Sequence, residues 1–145
     1  MRKLVLAISM LALAGSATFA GPIQDRQALM KERGKLAGQL VKVVKGEEDF
    51  DASAVLTTLK ALQANAEKFD AEKLFPAGSD KGDTKAAPKI WEDMAGFKAT
   101  EDKFLASTKA AVASPPGDVD TLKAQLNTIG GDCGACHQSY RINKS

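Results

Sequence analysis

The chain has 145 residues, with 20 Lys and Arg against 18 Asp and Glu, two Cys and a single His. Charge so evenly balanced, with no basic stripe interleaved with aromatics, excludes the electrostatic footprint of a nucleic-acid-binding protein. Two Cys and one His also fall short of the four ligands of a structural zinc site unless an unmarked carboxylate joins them.

Taken from its start, the chain opens with Arg2 and Lys3, an apolar run from Leu4 to Ala14, and small residues leading to Thr18-Phe19-Ala20. This is the pattern of a secretory signal peptide over residues 1–20, cleaved after Ala20. The apolar run is shorter than the roughly 20 residues that span a bilayer, so no membrane span is expected after cleavage. Cleavage removes two bases and no acid, leaving eighteen of each sign over residues 21–145. That length suits one domain with its own core.

Helix one is predicted from Pro22, a favoured first-turn residue, to Gly46, a favoured stop. Leu29, Leu36, Leu40 and Val43 form its apolar face, and Arg26, Met30, Gly34 and Gly38 lie on a neighbouring strip. Each glycine costs about 1 kcal/mol in a helix interior. They are either tolerated there or make room for a flat cofactor. Asp51 is the expected N-cap of helix two, whose seam of Val55, Leu59, Leu62, Ala66 and Phe69 ends near Asp70. Residues 71–87 read as one long loop broken by Pro76 and Gly78, with Leu74 and Phe75 available to pack it down.

Pro88 is expected to open helix three, with Ile90, Met94, Phe97 and Phe104 on one strip, and Ser114-Pro115-Pro116-Gly117 to end it. Asp118 can cap helix four, where Val119, Leu122, Leu126, Ile129, Cys133, Cys136 and Tyr140 keep unbroken steps of three and four. Gly130-Gly131 weakens that helix by roughly 2 kcal/mol, which predicts a kink or a close approach of backbone to a macrocycle. Four amphipathic segments without a strand pattern predict an all-α fold, an antiparallel four-helix bundle.

Cys133-Gly134-Ala135-Cys136-His137 carries the chemistry. Cys-x-x-Cys-His is the attachment pattern of haem c, and residues at i, i+3 and i+4 share one helix face, so both thiols and the imidazole point the same way. Cys133 and Cys136 are read as thioether attachments and His137 as the proximal iron ligand. A thioredoxin-like pair would want a βαβ setting, whereas these flanks read as helix. One such motif implies one haem.

Arg26-Gln27-Ala28-Leu29-Met30, Leu74-Phe75-Pro76-Ala77-Gly78-Ser79, Ala87-Pro88-Lys89-Ile90-Trp91 and Asp132-Cys133-Gly134-Ala135-Cys136-His137-Gln138-Ser139-Tyr140-Arg141 together resemble the class II c-type cytochromes, the cytochrome c′ family, across residues 21–145. The last stretch and the loop are most similar to the low-spin cytochrome c-556 group. The resemblance implies a four-helix bundle enclosing one covalently bound haem c and a periplasmic location. It places Met30 at the distal iron ligand, where a soft thioether raises the reduction potential; a plain core methionine is the alternative. It sets Arg26 against a haem propionate, which suits a guanidinium fork, with a solvated first-turn cation as the alternative, and puts Trp91 and Arg141 in the haem surroundings, with a core tryptophan and a helix C-terminal cation as the alternatives. The function implied is one-electron transfer between periplasmic redox proteins, without catalysis. A five-coordinate cytochrome c′ that binds or sequesters NO or CO is the alternative. A peroxidase would need a distal acid/base group, and the one histidine is committed below the iron. The resemblance leaves monomer and homodimer both open.

Overall fold

Aspartate caps set most of the helix starts. In the computed structural model, which describes residues 21–142, α1 spans Pro22–Val44, α2 Ala52–Glu67, α3 Ala71–Leu74, α4 Lys89–Glu92, α5 Met94–Ala113 and α6 Val119–Tyr140. The expected signal peptide lies outside the described residues. The side chains of Asp51, Asp70, Asp93 and Asp118 accept from the backbone N–H groups of Ala54, Lys73, Gly96 and Thr121 at 2.7, 3.2, 3.0 and 2.7 Å. Each occupies one of the unpaired donors of a first turn, worth about 1 kcal/mol. α1 has no side-chain cap and starts instead on Pro22, whose missing N–H is no loss there.

α1 packs on α2 and α6, and α5 packs on α2 and α6, which closes a ring of four long helices. Leu40, Leu59, Leu62, Phe104, Leu122 and Ile129 fill one part of the core. Leu59, Leu62 and Leu122 are 0% exposed, and burial of each contributes about 1.5–3 kcal/mol. A second cluster is built of Phe75, Ile90, Phe97 and Tyr140 with Phe69 and Trp91 against it. Its rings meet mostly edge to face, as for Phe75 and Phe97 at 4.8 Å and 80°, an arrangement the ring quadrupoles favour.

The structure departs from the sequence expectations in three places. α2 ends at Glu67, and Asp70 starts the short α3 inside the expected loop. Predicted helix three is two helices, because Asp93 leaves helical geometry at φ −139° and ψ 61°. Its carboxylate caps α5 and accepts a 3.0 Å bond from the Tyr140 hydroxyl at the end of α6, so a tertiary contact overrides the local pattern. Gly130 and Gly131 lie on the exposed face of an uninterrupted α6, so the expected kink is absent. They cause no break. Gly34 and Gly38 are likewise exposed.

The segment from Phe75 to Pro88 crosses the end of the bundle as a strap. Gly78 and Gly82 take φ of 83° and 104°, a region side chains rarely adopt, and so allow its turns. Ala87 N–H donates to Tyr140 O at 3.0 Å and Ile142 N–H to Lys85 O at 2.8 Å, which pairs the strap with the end of α6.

Candidate haem-binding site

The four-helix ring, the aromatic cluster and the strap enclose one cavity of about 490 Å³. α1 supplies Arg26, Gln27, Met30 and Arg33 to its wall, and α6 supplies Cys133, Cys136, His137, Tyr140 and Arg141. Phe69, Phe75, Phe97 and Phe104 give the apolar lining. Helical spacing explains both walls: positions 26, 30 and 33 share a face of α1, and 133, 136, 137 and 140 share a face of α6.

Both cysteines are free and half-buried. Burial pushes the Cys133 and Cys136 thiols up, so they stay protonated near neutral pH. His137 borders the same cavity with its ring exposed to solvent. Burial of part of the ring, with the positive charges of Arg141 and Arg33 nearby, pulls its pKa down and favours the neutral imidazole, the form that ligates metals.

Met30 is half-buried and supplies the one thioether on the cavity wall among the described residues. Arg26 also borders the cavity, but its fork is engaged: Nη1 donates to Leu74 O and Ser79 Oγ at 3.0 Å, and Nη2 to Ser79 O and Thr84 Oγ1 at 2.7 Å. The guanidinium lies 4.6 Å from the Phe75 ring centroid. Arg26 therefore anchors the strap and keeps Nε as its remaining donor. Arg141 ends α6 and borders the cavity.

Trp91 packs against the aromatic cluster beside the cavity. It does not line the cavity; its indole N–H donates to Phe75 O at 3.0 Å and Pro76 O at 3.2 Å, and its ring packs edge-on to Phe75 at 6.2 Å. Satisfying that N–H against the strap's backbone holds Trp91 one layer behind the wall.

A buried polar group was missed. Arg33 Nη1 donates to both carboxylate oxygens of Glu101 at 3.0 and 2.9 Å, and Nε donates to Asn65 Oδ1 at 3.0 Å. The guanidinium stands 4.2 Å from the Phe104 ring centroid. The signal was present as three polar residues on apolar stripes: Arg33 between Leu29 and Leu36, Asn65 between Leu62 and Ala66, and Glu101 between Phe97 and Phe104.

A helical bundle whose last long helix presents Cys-x-x-Cys-His to an aromatic-lined cavity defines a class, the helical c-type cytochromes with covalently attached haem. A sequence model described as Cytochrome C′ matches residues 21–141, and the chain belongs to that family and binds haem c. It is 39% identical to the cytochrome c-556 of Agrobacterium fabrum over 90% of this chain and 88% of the relative. It is 38% identical to a cytochrome c′ of Rhodopseudomonas palustris over 85% and 83%. The solved structure of cytochrome c′ from Rhodopseudomonas palustris matches with a TM-score of 0.80 at 36% identity, covering 88% of this chain and all of that one.

Proposed function

We propose that the protein is a periplasmic one-electron carrier whose haem is held by Cys133 and Cys136 and ligated by His137 and Met30. The observation that carries this reading is Met30: a thioether stands in the wall of the cavity that also receives the two thiols and the imidazole. The bound haem supplies one-electron Fe(III)/Fe(II) chemistry. The chain supplies the rest. Protonated thiols suit thioether attachment, the neutral ring of His137 would hold the iron, and the Phe69, Phe75, Phe97 and Phe104 side chains make the wall apolar. Arg26 would hold a propionate through Nε or by giving up a strap contact, and Arg141 adds positive charge at the edge of the same wall. With His137 and Met30 both holding the iron, the haem would exchange one electron and offer no open position to a substrate. That suits transfer to partner redox proteins rather than turnover of a substrate.

A second reading is a five-coordinate protein that binds nitric oxide or carbon monoxide. It is favoured by the near-equal identity to relatives named cytochrome c′ and by one solved neighbour, a nitric oxide complex of a mutant cytochrome c prime from Alcaligenes xylosoxidans, at 30% identity and TM-score 0.74. Absorption spectra of the ferrous holo-protein with and without carbon monoxide separate the two. The expected result is a low-spin haem that resists the gas, becoming five-coordinate and gas-binding in Met30→Ala. Ready binding by the wild type, or no change of spin state in Met30→Ala, overturns Met30 as the ligand.

A further inference from the structure

The Arg33–Glu101 ion pair stands apart from the others among the described residues. Its side chains are 8% and 10% exposed, whereas every other pair leaves at least 43% of each side chain in solvent. Both members border the haem cavity. Packing alone gives little reason for it, because a buried ion pair is often no more stable than apolar residues of the same volume. The pair is also imperfectly satisfied: Arg33 Nη2 is buried without a partner.

We propose that this pair couples a proton to the electron that the protein carries. When the protein accepts one electron from a one-electron donor, Glu101 takes up one proton from water and becomes a neutral carboxylic acid; on reoxidation the proton returns to water. The charge added by the electron is thus cancelled within the same cavity.

Two opposed forces act on Glu101, and their net effect raises its pKa above the ordinary value. Burial raises its pKa, while the Arg33 guanidinium across the bidentate contact lowers it, and Asp102 on the same helix adds a smaller upward push. An added negative charge in the cavity tips such a balance toward the acid. At an effective dielectric of about 20, two charges about 10 Å apart change each other's proton affinity by roughly tenfold.

The neighbouring elements leave Glu101 as the group best placed to respond. α1 presents Arg33, a permanent cation, and α2 presents the neutral Asn65. α6 presents Cys133 and Cys136, which carry no charge as thioethers, and His137, whose neutral form is favoured. Asp132 on α6, Asp83 and Lys85 on the strap, and Arg141 also border the cavity, but each is half-exposed or exposed and screened by water. Arg26 is buried, but it is a permanent cation bonded into the strap.

The inference rests on haem occupying the cavity, as in the function proposed above, but not on Met30 as the sixth ligand. Its test is the midpoint potential of the holo-protein from about pH 4.5 to pH 8, the range above an ordinary Glu at about 4.3. The wild-type potential is expected to fall with pH over part of this range, toward 59 mV per unit, the equivalent of tenfold per electron. Glu101→Gln, which keeps an acceptor for Arg33, is expected to be flat over the same range. Arg33→Met is expected to move the sloping region to higher pH, because a lone buried carboxyl holds its proton more tightly. A reduced-minus-oxidised infrared difference spectrum of the wild type is expected to gain a protonated-carboxyl band that Glu101→Gln lacks. This reading needs no variant to fold when glutamate is isotopically labelled. A flat wild-type potential, an unchanged slope in Glu101→Gln, or no labelled carboxyl band overturns the proposal. The carbon monoxide test of Met30 stands or falls separately.

Discussion

Gly96→Ala tests whether the break between α4 and α5 is held by the end of α6. A Cβ at position 96 would lie 2.6 Å from the Tyr140 hydroxyl and closer still to the Asp93 carboxylate, which is bonded to that hydroxyl. Either tip must move, and the Tyr140–Asp93 bond breaks. Because the Asp93 carboxylate is exposed and screened by solvent, the bond contributes only about 0.5–1.5 kcal/mol. Turning Asp93 away also loosens its 3.0 Å cap on Gly96 N–H, worth about 1 kcal/mol more. Alanine recovers up to about 1 kcal/mol of helix propensity. The net loss is then about 0.5–1.5 kcal/mol, which for a domain of this size lowers Tm by roughly 2–8 °C. Thermal melts of the holo-protein by far-ultraviolet circular dichroism, run beside Tyr140→Phe and the double variant, measure it. The double variant is expected to lose less than the sum, because the first change already displaces the hydroxyl that the second removes. A Gly96→Ala protein as stable as the wild type, or strict additivity, would refute the reasoning.

Two further outcomes follow from the same contacts. Arg26→Ala removes three hydrogen bonds to the strap and one to Leu74 O just before it; amide exchange of Ser79 and Ala87 is expected to accelerate at least tenfold while that of Leu59 and Leu62 stays the same, and unchanged strap protection would exclude Arg26 as its anchor. Hydrogen bonds from first-turn N–H groups hold the Asp93 and Asp118 carboxyls below the usual range. A depressed folded-state pKa gives stability that is present above the unfolded value of about 3.9 and is lost as pH falls through the folded value. Asp118→Asn, an uncharged cap of similar strength, is therefore expected to lose less Tm between pH 7 and pH 3 than the wild type; parallel curves would contradict the assignment.

The long helices could be read from the sequence because their apolar residues recur every three or four positions and their starts carry Asp51, Asp118 or a proline. The seam from Val119 to Tyr140 follows that period directly, and it delivers Cys133 and Cys136 to the cavity. What could not be read depends on partners far along the chain. Nothing near Asp93 announces a break; the cause is Tyr140, 47 positions away. Arg33 and Glu101 are 68 positions apart and each alone resembles a solvated charge, so their burial emerges only when α1 and α5 come together. Arg26 was visible as a cation at the site, but its bonds to Ser79 and Thr84 belong to a strap whose path is set by Gly78 and Gly82. Trp91 follows the same rule: its place is set by an indole N–H whose acceptors, Phe75 O and Pro76 O, lie 16 and 15 positions away.

The central claim is that haem is joined to α6 through Cys133 and Cys136. Mass spectrometry of tryptic peptides, from protein made in a host that attaches haem c, tests it most directly, since no Lys or Arg lies between Lys123 and Arg141. The peptide from Ala124 to Arg141 is expected to carry one haem. Recovery of that peptide unmodified, with both thiols free to alkylate, would contradict the account.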